Sequence, residues 1–273
     1  MKRRCIGLVL VLGLFFSSAS AEEQKSRNVL DKRFTFYGGA QFYNADGEFS
    51  STKDGQDKVE VDMDDLDLNE NWITPIAGAL INLGKRWTLR FDYFGYHDDA
   101  TATAEFEFPI DDATIPVGAT VDTSLDLDIV AANIAYNFWH SDRARFGVGI
   151  GFHLANFELE VSSKLDTILG ETTDNGKLDF FAPVPNLYAY GAYGFTDRFI
   201  LRYGGGWLSL TYGDYDGSLV FANAFLEYWP FEYVGFGAGY RYLNADIEYD
   251  PGHKKEEYDV TLPGPMLYVT LGF

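Results

Sequence analysis

The chain has 273 residues, 21 Lys+Arg against 41 Asp+Glu, a formal charge of −20, and 47% hydrophobic residues. That hydrophobic content argues against disorder and the acidity argues against nucleic acid as the main partner, while a mean hydropathy of −0.14 excludes a bundle of apolar membrane helices. It does not exclude a sheet whose two faces differ in polarity, and 18 Tyr with 23 Phe suit strands.

The chain opens on Lys2, Arg3 and Arg4, then an apolar stretch from Ile6 to Phe16, then Ala19-Ser20-Ala21. A basic start, a short apolar core and a small-residue site read as a secretory signal peptide, residues 1–21, cleaved after Ala21. The apolar stretch is about half the length of a bilayer-spanning helix. Cys5 precedes the apolar core, so the exported chain is expected to carry neither a cysteine nor a disulfide.

Beyond residue 32 the pattern is alternation, broken by two kinds of connection. Four are very short: 83–86, 140–143, 195–198 and 229–232. Five are acidic and mostly longer: about 46–70, 98–122, 158–178 and 246–257, with the short Gly213–Gly217 completing the set. Nine connections join ten strands, expected at about 33–45, 71–83, 86–97, 123–139, 144–157, 180–194, 198–212, 218–229, 233–245 and 258–273. Each is long enough to cross a bilayer as a tilted strand.

Along these segments one face is apolar and bulky, and the other is small, polar or charged. Trp87, Leu89, Phe91 and Tyr93 oppose Thr88, Arg90 and Asp92; Phe146, Val148, Ile150 and Phe152 oppose Arg145, three glycines and His153. A soluble sandwich also alternates, but here aromatics crowd the ends beside the short turns, including Trp87, Tyr136, Phe138, Trp139, Phe199, Trp229 and Tyr233. Such crowding matches an aromatic girdle at a membrane interface.

The last strand, Leu267-Tyr268-Val269-Thr270-Leu271-Gly272-Phe273, ends on an aromatic with apolar residues at every second position before it. With the signal peptide and the strand rhythm, this resembles the Gram-negative outer membrane β-barrel proteins as a general class. The resemblance implies an all-β, closed antiparallel transmembrane β-barrel, most simply of ten strands, with eight or twelve as alternatives. It divides the chain into a signal peptide (1–21), a short periplasmic segment (22–32) and a barrel with acidic extracellular loops (33–273). It further implies residence in the cell outer membrane among its lipids and lipopolysaccharide. Phe273 would be the assembly signal read by the barrel assembly machinery.

Candidate functional residues lie on the inward register: Arg90, Asp92, Arg145, His153, Arg202, Glu227 and Arg241. Charges inside a narrow barrel must be paired or hydrated, so this set is expected to be either a selectivity ring in a pore or a plug of ion pairs. The glycine runs 147/149/151, 204–206 and 235/237/239 miss a nucleotide-binding pattern and have no following helix. They are expected to relieve crowding and leave room for large inward side chains such as Tyr190 or Arg241.

Ten acids occupy 46–70 and nine occupy 97–128. Asp62–Asp67 carries oxygen ligands suited to Ca²⁺ but lacks the glycine and ligand order of an EF-hand. Segments such as Leu125-Asp126-Leu127-Asp128 and Glu158-Leu159-Glu160-Val161 read as strands continuing above the membrane, with acids on one side. Ten-stranded barrels include the omptin proteases, which use Asp and His near the outer rim. The matching cluster here is His97 beside Asp98 and Asp99. No catalytic, metal or cofactor signature stands out. The expected function is a narrow pore or a carrier for small solutes or apolar molecules. A surface-facing lipid or peptide hydrolase, and a structural or adhesive barrel with a plugged lumen, are the alternatives.

Overall fold

The computed structural model describes residues 29–44, 46–53, 58–63, 65, 73–105, 107–110, 113–167, 170–252 and 254–273. The signal peptide, its cleavage site and much of the acidic segment 54–72 lie outside the described residues. After a short 3-10 turn (Val29–Asp31), the strands are β1 (Phe34–Phe42), β2 (Asp46–Lys53), β3 (Val59–Asp62), β4 (Ile73–Leu83), β5 (Trp87–Thr103), β6 (Phe108–Ile110), β7 (Ala113–Ile115), β8 (Thr120–His140), β9 (Ala144–Thr167), β10 (Gly170–Gly194), β11 (Phe199–Tyr212), β12 (Tyr215–Tyr228), β13 (Val234–Tyr249), β14 (Lys254–Thr261) and β15 (Gly264–Gly272). No described helix is long and apolar enough to cross a membrane.

Ten of these strands close a ring in the order β1-β4-β5-β8-β9-β10-β11-β12-β13-β15, and β15 returns to pair with β1. Every pairing is antiparallel, so closure leaves no edge at membrane depth. The first and last strands continue upward as β2 and β14 without a register change: Gln41 faces Met266 and Asp46 faces Thr261. Pro263 interrupts the ladder between them because it has no N–H; its carbonyl instead accepts from Asn44 N at 3.1 Å.

The short turns are built as their residues dictate. Gly84 sits at φ 67°, a left-handed conformation in which a Cβ would be strained. Asn137 and Trp139 flank a bulge between β8 and β9, which lets the neighbours Phe138 and Trp139 both face outward. Trp229 departs from the expected girdle. Because Tyr228 faces out, the next residue turns in, and Trp229 is 2% exposed against Val29, Leu30, Ala192 and Ile200.

Polarity inverts along each long strand. On β8 the outward residues are Val130, Ile134 and Phe138 near the short turns but Asp122, Asp126 and Asp128 further up. The inward residues change the opposite way, from Asn133 and Asn137 to Val121, Leu125 and Leu127. The same switch occurs on β9, where Val148, Ile150 and Phe152 face out below Glu158 and Glu160. Below the switch the barrel shows apolar side chains to lipid; above it the barrel has an apolar core and shows acids to water.

Candidate functional site

All seven inward candidates are buried, each at most 9% exposed, and they meet in tiers between the short turns and the apolar upper core. Lowest is Arg145 at the start of β9. Its guanidinium donates to Asn82 Oδ1, approaches Asp31 at 3.4 Å, and donates from Nε to His140 Nδ1 at 3.3 Å. Asn82 in turn donates to the carbonyl of Lys32 at 2.7 Å, which ties the N-terminal segment into the barrel mouth. Residues 29–32 therefore enter the lumen from below rather than trailing away from it. The Lys32 ammonium donates to the carbonyls of Glu232 (2.5 Å) and Gly272 (3.0 Å) and lies 5.2 Å from the Trp229 ring centre.

The next tier is Arg202 and Glu227, 3.1 Å apart on the paired strands β11 and β12. Glu227 also accepts from Trp229 Nε1 at 3.0 Å and from the Tyr268 hydroxyl at 3.2 Å. Above it, Arg90 donates twice to Asp92, at 2.8 and 2.9 Å, from two residues away on the same inward face of β5. Asp92 also accepts from the Tyr37 hydroxyl and lies 3.5 Å from Arg241. Arg241 donates to Gln41 at 3.3 Å and stands 4.1 Å from the Phe94 ring centre. His153 lies highest, 3.2 Å from Asn186 Oδ1, with Asn186 bonded onward to Asn133.

Large side chains fill the space between the tiers. Tyr190 lies over Gly147 as expected, but Arg241 leans on Phe94 and has no glycine cradle. Asn133 fills the cradle at Gly151, and aromatics fill four more: Tyr268 over Gly237, Phe225 over Gly239, Phe221 over Gly206 and Tyr37 over Gly78. A cavity between Arg202, Arg90 and Tyr268 and another between Asp92, His153 and Arg241 measure about 20 Å³ each. Each has room for about one water molecule.

The sequence reading did not single out Tyr37, Gln41, Asn82, Asn137, Tyr268 or Trp229 as partners in this network. The available signal was register: all but Trp229, which follows β12, share the inward face of their strand with a small or charged residue. The outer-rim cluster divides between the two faces. Asp98 points inward and accepts from Tyr96 at 2.9 Å, whereas His97 points outward, 3.4 Å from Asp128 and 3.8 Å from Asp126. Adjacent residues on a strand face opposite ways, so Asp98 is parted from His97 and Asp99, which share the outer face. Of the Ca²⁺ candidate, Asp64 and Asp67 lie outside the described residues, and Asp65 accepts from the backbone N of Asp62 at 3.1 Å. Among the described residues no group of three His, Cys, Asp or Glu is disposed to hold a metal.

The outer wall above the lipid band has its own geometry. Asp126 of β8 is paired with Glu158 of β9, so like charges face each other across the two strands. Burial, helped by Asp99, Glu158 and Asp128 and opposed by His97, pushes the Asp126 carboxyl up. Lys177 bridges Glu158 and Glu160 on this wall. An open depression of about 720 Å³ runs beside them, lined by Asp99, Asp122, Ser124, Glu160 and Lys177 among others.

No family model and no curated protein matches the chain. Solved structures do. The outer membrane protease OmpT from Escherichia coli superposes with a TM-score of 0.53 at 10% identity, covering 88% of this chain and 97% of that one. The fold is that of a Gram-negative outer membrane β-barrel. The translocator domain of the autotransporter NalP from Neisseria meningitidis (TM-score 0.45, 13% identity, 88% of each chain) and the outer membrane protein OprG from Pseudomonas aeruginosa (0.36, 11%, 88% and 95%) are more distant likenesses. The outer membrane barrel expected from the strand rhythm, with ten strands, is therefore the observed one.

Proposed function

We propose that this outer membrane barrel is closed, and that its work is done by the acidic wall above the lipid band, as a surface-binding protein for cationic partners. The observation that carries this reading is the Asp92 tier. One carboxylate is held by Arg90, Arg241 and Tyr37 at once, with adjoining cavities of about 20 Å³, which leaves no room there for a solute. This supports a plugged barrel over the pore or carrier expected from the sequence. Above the plug the inward face is packed with apolar side chains, so the strands spend their outward face on acids. A surface of that sign attracts basic partners over about a Debye length.

The test is binding of intact expressing cells to a polylysine-coated surface in low salt. The wild type should adhere above the vector control, and added salt should weaken adhesion. A variant with Asp99→Asn, Asp122→Asn, Asp126→Asn and Glu160→Gln should lose that excess, while the lumen variant Arg202→Ala should keep it. Equal adhesion by the acid-depleted variant would overturn the reading.

A further inference from the structure

The five ring strands that rise from the short-turn end begin in the same way. The residue before each is Arg33 (β1), Arg86 (β5), Arg143 (β9), Arg198 (β11) and Tyr233 (β13). In every case its carbonyl accepts from the backbone N–H of the descending neighbour: Asn82, Asn137, Gly194, Trp229 and Gly272, at 2.7–3.0 Å. The five positions are structurally equivalent and stand at one height. Four of the five are arginine, and all four arginines are exposed. This height is one residue below the outward girdle aromatics Phe34, Trp87 and Phe199. Short turns mark the periplasmic end of such a barrel, so the arginines stand at the level of lipid headgroups in the periplasmic leaflet.

The ring is uneven in charge. Asp142, Asp197 and Glu232 precede Arg143, Arg198 and Tyr233, whereas Lys85 precedes Arg86. Lys32, before Arg33, is turned into the barrel mouth. One sector, at the feet of β1, β4 and β5, therefore holds Arg33, Lys85 and Arg86. Among the described residues no carboxylate pairs with any of the three. Only β4 separates β1 from β5, so Arg33 and Arg86 stand roughly 10 Å apart across two strand spacings. Both are braced against the girdle: Arg33 lies 5.3 Å from the Phe34 ring centre, and Arg86 donates to the Tyr136 hydroxyl. Directly above, Phe36, Leu83 and Trp87 offer the exposed apolar surface on which acyl chains would lie.

We propose that the Arg33–Lys85–Arg86 sector is a binding site for the phosphate of an anionic phospholipid in the periplasmic leaflet. The guanidinium pair supplies forked donors for phosphate oxygens, Lys85 adds a point charge, and the apolar band fixes the lipid's tails. The opposite rim, with its outward acids, repels the same headgroup, so the site also biases the barrel's orientation in a charged bilayer.

The experiment is native mass spectrometry of the full exported chain, released from micelles doped with phosphatidylglycerol or with phosphatidylcholine. Wild type should retain phosphatidylglycerol preferentially. Each basic charge removed should cut that retention about fivefold, so Arg33→Gln with Lys85→Gln and Arg86→Gln should abolish the preference. Arg198→Gln, whose neighbour Asp197 already offsets its charge, should change retention less than Lys85→Gln alone. Should the triple variant fail to fold, Lys85→Gln alone decides, since it lies in an exposed turn and is expected to show the single fivefold loss. Equal retention of the two lipids, undiminished phosphatidylglycerol in Lys85→Gln, or complete displacement by inorganic phosphate would each overturn the proposal.

Discussion

Arg202 and Glu227 lie on neighbouring strands, both facing into the lumen, with Arg202 Nε 3.1 Å from Glu227 Oε1 and both side chains at most 10% exposed. Neither charge is open to bulk solvent. Truncating Arg202 leaves a carboxylate supported by the Tyr268 hydroxyl and the Trp229 indole, both neutral donors. Arg202→Ala should therefore cost about 3–5 kcal/mol. The check is the temperature at which the heat-modifiable band is lost, with Arg198→Ala in the adjacent exposed turn as the control that should not shift.

Gly237 is a packing position. A Cβ there would stand 2.1 Å from Cζ of Tyr268, whose hydroxyl holds Glu227. Gly237→Ala should displace the ring and cost about 1–3 kcal/mol. Urea titration checks both: Gly217, where a Cβ would come no closer than 3.7 Å to its neighbours, should accept alanine with little change in midpoint.

Phe273 is 57% exposed on the lipid face, stacked 5.8 Å from Tyr233, and its backbone exchanges hydrogen bonds with Phe34 at the closing seam. Its side chain contributes little to the barrel interior, so a role in assembly separates from a role in stability. Phe273→Asp should lower the amount of folded protein reaching outer membrane fractions. The fraction that does fold should melt within a few degrees of wild type.

The outer sheet should respond to pH in two opposite senses. Glu257 accepts from Lys255 at 2.6 Å and lies 3.0 Å from Lys58, which holds its carboxyl down at about 2. A depressed folded pKa adds stability that is full above the ordinary glutamate value and is lost as pH falls toward 2. Asp126 is raised, so its contribution is full below the ordinary aspartate value and is lost as pH rises through the raised one. Denaturant titrations across the acid range should show Glu257→Gln with a shallower loss at the low end. Asp126→Asn should gain stability relative to wild type as pH rises to neutral.

Architecture was legible in the sequence because a membrane barrel repeats one rule ten times. Trp87, Phe91 and Tyr93 alternate with Arg90 and Asp92 at a period of two, and the short turns interrupt that period cleanly. The inward set could be read for the same reason, since a charge on the small face of a strand has nowhere else to go. The pairing was harder to read. Tyr37 and Asp92 are 55 residues apart and meet only because β1 and β5 flank β4, where Gly78 lets the Tyr37 ring reach across to Asp92. Trp229 was misread because composition near a turn does not say which way the strand's last residue points; one residue of register decides it. The same parity separates His97 from Asp98, so adjacency in sequence overstated the rim cluster.

Ion conductance of the purified wild-type barrel across a planar bilayer tests the central claim most directly. A lumen crossed by the Arg145, Arg202–Glu227 and Arg90–Asp92–Arg241 tiers, under a packed apolar core, should insert and give no resolved conductance steps in either polarity. Stable single-channel steps that change in size or ion preference on Arg202→Ala would show that the tiers line an open path and would contradict the account.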